Sequence, residues 1–142
     1  NPDLINELSA VFGNQCVVIG IDTKNGEIYK NTGNPNKMSK DPWTIIEWIV
    51  EVQKRGAGEI VLNSMSQDGE KNGFDLELLR KVKPYLDVPV VASGGAGKVE
   101  HFEAIFRENL AEAGLAASIF HSGEVQIGNL KSYLRDEEIC VR

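Results

Sequence analysis

VVASGGAGKVEHF, residues 90–102, runs from an apolar stretch through three glycines in four positions into a pattern with helical spacing. VPVVAS (88–93) has the length and β-branched content of a buried strand, and a helix is expected to begin near Lys98. The unit is a strand, a tight turn and a helix.

The same alternation extends in both directions. QCVVIGI (15–21) reads as a strand, followed by a polar, Gly/Asn-rich loop over 22–40. DPWTIIEWIVEVQKRG (41–56) reads as a helix with Asp41 at the N-cap and Pro42 in the first helical position. EIVLNS (59–64) is a second strand; MSQDGEKNGF (65–74) is its loop, and a helix is expected over 75–86. LAASIF (115–120) reads as the last strand and 126–134 as the last helix, while NPDLINELSAVFG (1–13) reads as a helix packing on something that precedes it.

Apolar strands separated by amphipathic helices imply parallel pairing with right-handed crossovers. Two α/β architectures fit: an open doubly wound sheet, or part of a (β/α)8 barrel. Four βα units do not close an eight-stranded barrel, which typically takes about 250 residues, so length favours the open sheet. An internal echo favours the barrel. RGAGEIVLNS (55–64) and EAGLAASIF (112–120) both pass through Ala-Gly into an apolar run, and IGID (19–22) and VASGG (91–95) alternate with them.

Composition narrows the function classes. The 142 residues are 42% hydrophobic, enough for one soluble domain over 1–142, and a net charge of −6 without a Lys/Arg cluster argues against nucleic acid. No apolar run approaches the roughly 20 residues of a membrane span, and the N-terminal stretch lacks signal-peptide character, so a cytoplasmic location is expected. Cys16 and Cys140 read as free thiols. His101, inside a helix, and His121, without a second ligand at metal spacing, read as packing or capping residues, and no metal is expected.

Gly94, Gly95, Ala96 and Gly97 put bare amides just ahead of a helix, an arrangement that favours a phosphate. A Walker A loop is excluded, since Ala92 stands at its first glycine and Val99 at its hydroxyl; SGGAGKVE does not contain a dinucleotide fingerprint either. The alternative is a tight βα turn using glycine for positive φ. A second small-residue patch, Ala116 to Ser118, follows on the next unit, as expected for a barrel phosphate site between its last two strands. A side chain at Gly95 is expected to block close approach of the phosphate.

Taken in order, VVIGIDTK, RGAGEIVLNSM, QDGEKNGFD, VPVVASGGAGKVEHF and LAASIFH resemble the C-terminal half of the cyclase subunit of imidazole glycerol phosphate synthase, of histidine biosynthesis. The resemblance implies the C-terminal half of a (β/α)8 TIM-type barrel, strands five to eight preceded by a helix. It further implies a substrate with a phosphate at each end, ammonia delivered by a partner glutaminase, and no metal or redox cofactor. Asp22 matches the family's catalytic aspartate; its alternative is an Asx turn before TKNG. Gly94 and Gly95, with Ala117 and Ser118, match a phosphate site. Asn63, Asp68 and Gly69 match substrate contacts, with an Asp-Gly turn as the plain reading of the last two. Glu59 matches part of a charged gate at the ammonia entrance.

The sequence also departs from that family. The first half-barrel, with a second catalytic aspartate and the second phosphate site, has no counterpart here, so the chain alone is not expected to catalyse the complete reaction. Ser66 stands where many relatives carry aspartate, and the loop over 25–37 is short and Asn-rich. A complementary half-barrel or self-association is expected to cover the open sheet edges. Two other functions fit: a noncatalytic phosphate-binding half-barrel that self-associates, and the ammonia-using subunit of a surface-sugar amidation pathway.

Overall fold

The computed structural model describes residues 1–142. Its elements run α1 (Asp3–Phe12), β1 (Val18–Lys24), β2 (Glu27–Lys30), β3 (Ser39–Lys40), α2 (Ile45–Arg55), β4 (Glu59–Ser64) and α3 (Leu76–Val82). They continue with β5 (Val90–Ser93), α4 (Val99–Arg107), β6 (Ala113–Leu115), α5 (Ser118–His121) and α6 (Ile127–Asp136). One sheet holds all the strands, in the order β3-β2-β1-β4-β5-β6.

β1, β4, β5 and β6 are parallel, and each pairs with the next in sequence. Those are the expected βα units of a half-barrel. Right-handed crossovers between such neighbours place their helices on one face of the sheet. Burial follows the pleat. Ile60, Leu62 and Ser64 are buried, whereas Glu59, Val61 and Asn63, on the opposite face, are half-exposed. Ile21, Val90 and Ala92 join the helix-facing core with Ile49, Val52, Val82 and Ile105.

Four sequence expectations are corrected. The loop expected over 22–40 contains the hairpin β1–β2 and a short third strand, because Asn25 and Gly26 take φ of 53° and 75° and form the two-residue turn that matches strand twist. β1 is displaced towards its polar end: 14–16 form a 3-10 turn, and pairing with β2 carries the strand through Asp22 to Lys24. The N-cap of α2 is Thr44, not Asp41, since Thr44 and Glu47 form a capping box. β6 ends at Leu115, and Ile119 and Phe120 belong to a helical turn in which the amides of Phe120 and His121 return to the Ala117 carbonyl. A short apolar run has no period long enough to separate these states.

Polar clamps hold the helices to the sheet. The Gln53 side chain donates to the carbonyls of Ile49 (3.1 Å) and Tyr85 (2.9 Å), and accepts from the amides of Asp87 (2.6 Å) and Val88 (3.2 Å). It therefore ties α2 to the segment that leads into β5. Arg55 joins α2 to α1 through Asp3 and Asn6. Trp48 packs against the core, with Trp43 tilted across it at 5.5 Å between ring centroids. Both cysteines are free and exposed, and no helix is long and apolar enough to cross a membrane.

Gln53→Leu should lower stability by about 1–3 kcal/mol, because two backbone amides lose their acceptor without gaining another. Urea unfolding measures this; an unchanged midpoint would show that water replaces the clamp.

Candidate functional site

The parallel register fixes the centre of the site. Asp22 of β1 pairs with Asn63 of β4, and Asn63 with Ser93 of β5, so these three side chains project from the same sheet face at the C-terminal ends of their strands. They line a cleft of about 450 Å³. The loop after β4 adds Asp68 and Gly69, both exposed; the turn after β5 adds Gly94 and Gly95; and the segment after β6 adds Ala117 and Ser118. Sequence reading missed Ser93, although alternation from Asn63's partner strand marks it as facing the cleft.

Asp22 is half-buried and both its carboxylate oxygens accept hydrogen bonds. Asn63 Nδ2 donates to Oδ1 at 2.9 Å, and Thr32 Oγ1 donates to Oδ2 at 2.5 Å. Thr32 comes from the segment between β2 and β3, within the stretch expected as a polar, Gly/Asn-rich loop. Below it, Thr23 points to the helix face and donates to the Asn63 carbonyl at 3.0 Å, locking β1 against β4. Ser66 ties the same corner together, accepting from the Asn25 amide and donating to Asn25 Oδ1, each at 3.0 Å.

The glycine turn is held by backbone on its outer side. Gly94 and Gly95 have φ of 89° and 98°, and a Cβ on Gly95 would stand 2.1 Å from the Gly73 carbonyl oxygen. The Gly73 amide also donates to the Gly95 carbonyl at 2.8 Å. A side chain at Gly95 therefore collides with the loop after β4, a structural cost separate from the expected obstruction of a phosphate. The amides of Gly94, Gly95 and Ala96 have no acceptor in the protein, nor have those of Ala117, Ser118 and Ile119. Two groups of free donors thus flank the cleft, a geometry suited to an oxyanion.

His101 caps the turn. Its Nδ1 accepts from the Gly97 amide at 3.0 Å while its ring packs by Gly73, so it bridges the two loops. Burial, reinforced by Lys98, holds its pKa below the ordinary value of 6.5. His121, on α5, is exposed. Glu59 lies at the other end of the sheet, paired in register with Val18, on the same open face as Asp22 but two pleats away, and it forms no ion pair. No group of three His, Cys, Asp or Glu side chains could hold a metal ion.

Because Nδ1 must keep a lone pair for Gly97, the native state favours neutral His101, and the unfolded chain binds more protons near its ordinary pKa. This contribution is complete above pH 6.5 and is lost as pH falls through the lowered value. Protection of the Gly97 amide, its exchange corrected for the intrinsic rate, should fall as pH drops below 6.5, and His101→Phe should remove that dependence. Exchange independent of pH in the wild type, after correction for its intrinsic rate, would contradict the cap. Gly95→Ala should cost about 1–3 kcal/mol and displace residues 67–73, read as a lower unfolding midpoint and shifted amide resonances across that loop.

Comparison with known proteins agrees with this geometry. The family model described as "Histidine biosynthesis protein" matches residues 1–126. Proteins named imidazole glycerol phosphate synthase subunit HisF align with all of the chain: 47% identity for that of Aliivibrio salmonicida, 48% for Escherichia fergusonii and 47% for Vibrio cholerae. The chain spans 58%, 57% and 58% of the lengths of these relatives, respectively. With four parallel βα units and a family model covering most of its length, the chain belongs to the histidine biosynthesis protein family of TIM barrels, of which it forms a half-barrel.

Proposed function

We propose that this chain supplies strands five to eight of the cyclase subunit of imidazole glycerol phosphate synthase. In that reaction ammonia converts a phosphoribulosyl-aminoimidazole carboxamide ribonucleotide to imidazole glycerol phosphate and aminoimidazole carboxamide ribonucleotide. The observation that carries the reading is the facing arrangement of Asp22 and the free amides of the glycine turn within one cleft. A carboxylate beside an anion-binding wall suits a phosphorylated substrate whose reacting centre needs proton transfers.

Each group has a defined task. The amides of Gly94 to Ala96 and of Ala117 to Ile119 hold one phosphate, with the Ser118 hydroxyl able to add a donor. That fixes the substrate along the strand ends. Asp22 then removes a proton from the nitrogen that attacks and returns one during elimination, as a general base and acid. Asn63 and Ser93 offer neutral hydrogen-bonding groups, and Asp68 suits a hydroxyl or ring nitrogen rather than a phosphate, which its charge would repel.

Ammonia comes from a glutaminase subunit docked at the opposite end of the sheet, where Glu59 guards the entrance. The second phosphate site and a second catalytic aspartate belong to the complementary half-barrel, which pairs with β6 and with residues 18–21 of β1, the part of that strand that β2 leaves uncovered. Val18 and Leu115, on the open face of those two strands, are 49% and 46% exposed, as befits apolar side chains that a closed barrel would enclose.

Asp22→Asn should lower ammonia-dependent turnover by about 10²–10⁴-fold while substrate affinity stays within several-fold. The assay joins this chain to the part of the Escherichia fergusonii relative that it does not match. Full turnover in the variant would remove Asp22 from the chemistry.

A further inference from the structure

The two groups that hold Asp22 differ in what they can do. Asn63 Nδ2 is a donor only, so the oxygen it meets, Oδ1, is confined to accepting. With Asp22 charged, turning the Asn63 amide over would set its own oxygen against the carboxylate, so the donor stays in place. Thr32 is different: a hydroxyl donates to a carboxylate and accepts from a carboxylic acid.

Thr32 reaches this position through the hairpin. Antiparallel pairing sets Tyr29 opposite Asp22, and β2 ends at Lys30. Asn31 then takes φ of 58°, and the Asn34 amide returns to the Asn31 carbonyl at 2.9 Å, folding the chain back towards β1. Thr32 is half-buried between exposed Asn31 and Gly33. Its inward placement is specific to the residue and not a property of the loop.

We propose that Thr32 is the positioning residue for Asp22, and that it makes Oδ2 the oxygen that takes up and releases the proton. The inference rests on Asp22 being the general base and acid of the cyclase. With Asp22 charged, the Thr32 hydroxyl donates to Oδ2 and fixes the rotamer. When a proton passes from the attacking nitrogen to Oδ2, the hydroxyl rotates and accepts it in a hydrogen bond. Thr32 keeps its own hydrogen throughout, Oδ1 goes on accepting from Asn63, and the proton returns from Oδ2 on elimination.

The test compares Thr32→Val, Thr32→Ser and Asp22→Asn in the joined full-length barrel supplied with ammonia. Thr32→Val should lower kcat about 10- to 100-fold, the loss expected for one hydrogen bond to a charged group. KM should stay within about threefold, and Thr32→Ser should restore kcat to within about threefold of wild type. If Asp22→Asn is inactive but Thr32→Val keeps wild-type kcat, or Ser rescues no better than Val, the positioning role is overturned and the role of Asp22 stands. If Asp22→Asn is active, the underlying reading itself fails. A second measurement needs no turnover: three-bond couplings in this chain should report one Asp22 χ1 rotamer in the wild type and Thr32→Ser, and averaged rotamers in Thr32→Val. A single rotamer in all three would also overturn the proposal.

Discussion

The parallel ladder through β1, β4 and β5 decides which atoms meet in the cleft. Asp22, Asn63 and Ser93 stand side by side because their strands pair without slip. A shift of one residue would turn Asp22 to the helix face and bring Ile21 or Thr23 in its place. What prevents it is the other side of the sheet, where Ile21, Ile60, Leu62, Val90 and Ala92 are buried against the helices. The core therefore specifies the site through the same alternation that hides it.

The wall opposite Asp22 is made differently. Its shape comes from backbone packed on backbone: Gly95 against Gly73, Gly94 beneath the Ser64 carbonyl, and Gly97 against Lys71. Such contacts leave no rotamers to settle when a ligand arrives, so the free amides are already aimed. His101 joins the turn to its neighbouring loop, and the exposed pair Lys71–Glu124 links that loop to the segment after α5. The exposed ion pair adds little stability by itself.

The parallel units were legible because their strands are apolar runs with clear breaks; EIVLNS at 59–64 coincides with β4. The ends of β1 and β6 were harder. Gln15 and Cys16 fit a strand by composition but lie in a 3-10 turn, while Ile119 and Phe120 satisfy burial as well in a helical turn as in a strand. Two local signals in the sequence do mark what the apolar pattern leaves out: Asn25-Gly26 between alternating residues marks a hairpin, and Thr44-x-x-Glu47 marks a helix start. The residues lining the cleft could be proposed from the resemblance and strand ends. Thr32 could not, since its contact with Asp22 depends on how far a hairpin folds back, which no periodicity records.

That hairpin gives a surface loop an unusual intolerance. Residues between secondary elements ordinarily accept insertions and deletions. Here the two-residue turn at Asn25-Gly26 fixes where β2 starts, and the reversal at Asn31 fixes where it stops, so the segment measures a distance along β1. Length changes before residue 32 would carry the hydroxyl away from Asp22, whereas changes after Asn34 would alter only the return path to β3. Among relatives, variation in the length of this loop should therefore be polarised, with a conserved count on the strand side and drift on the far side.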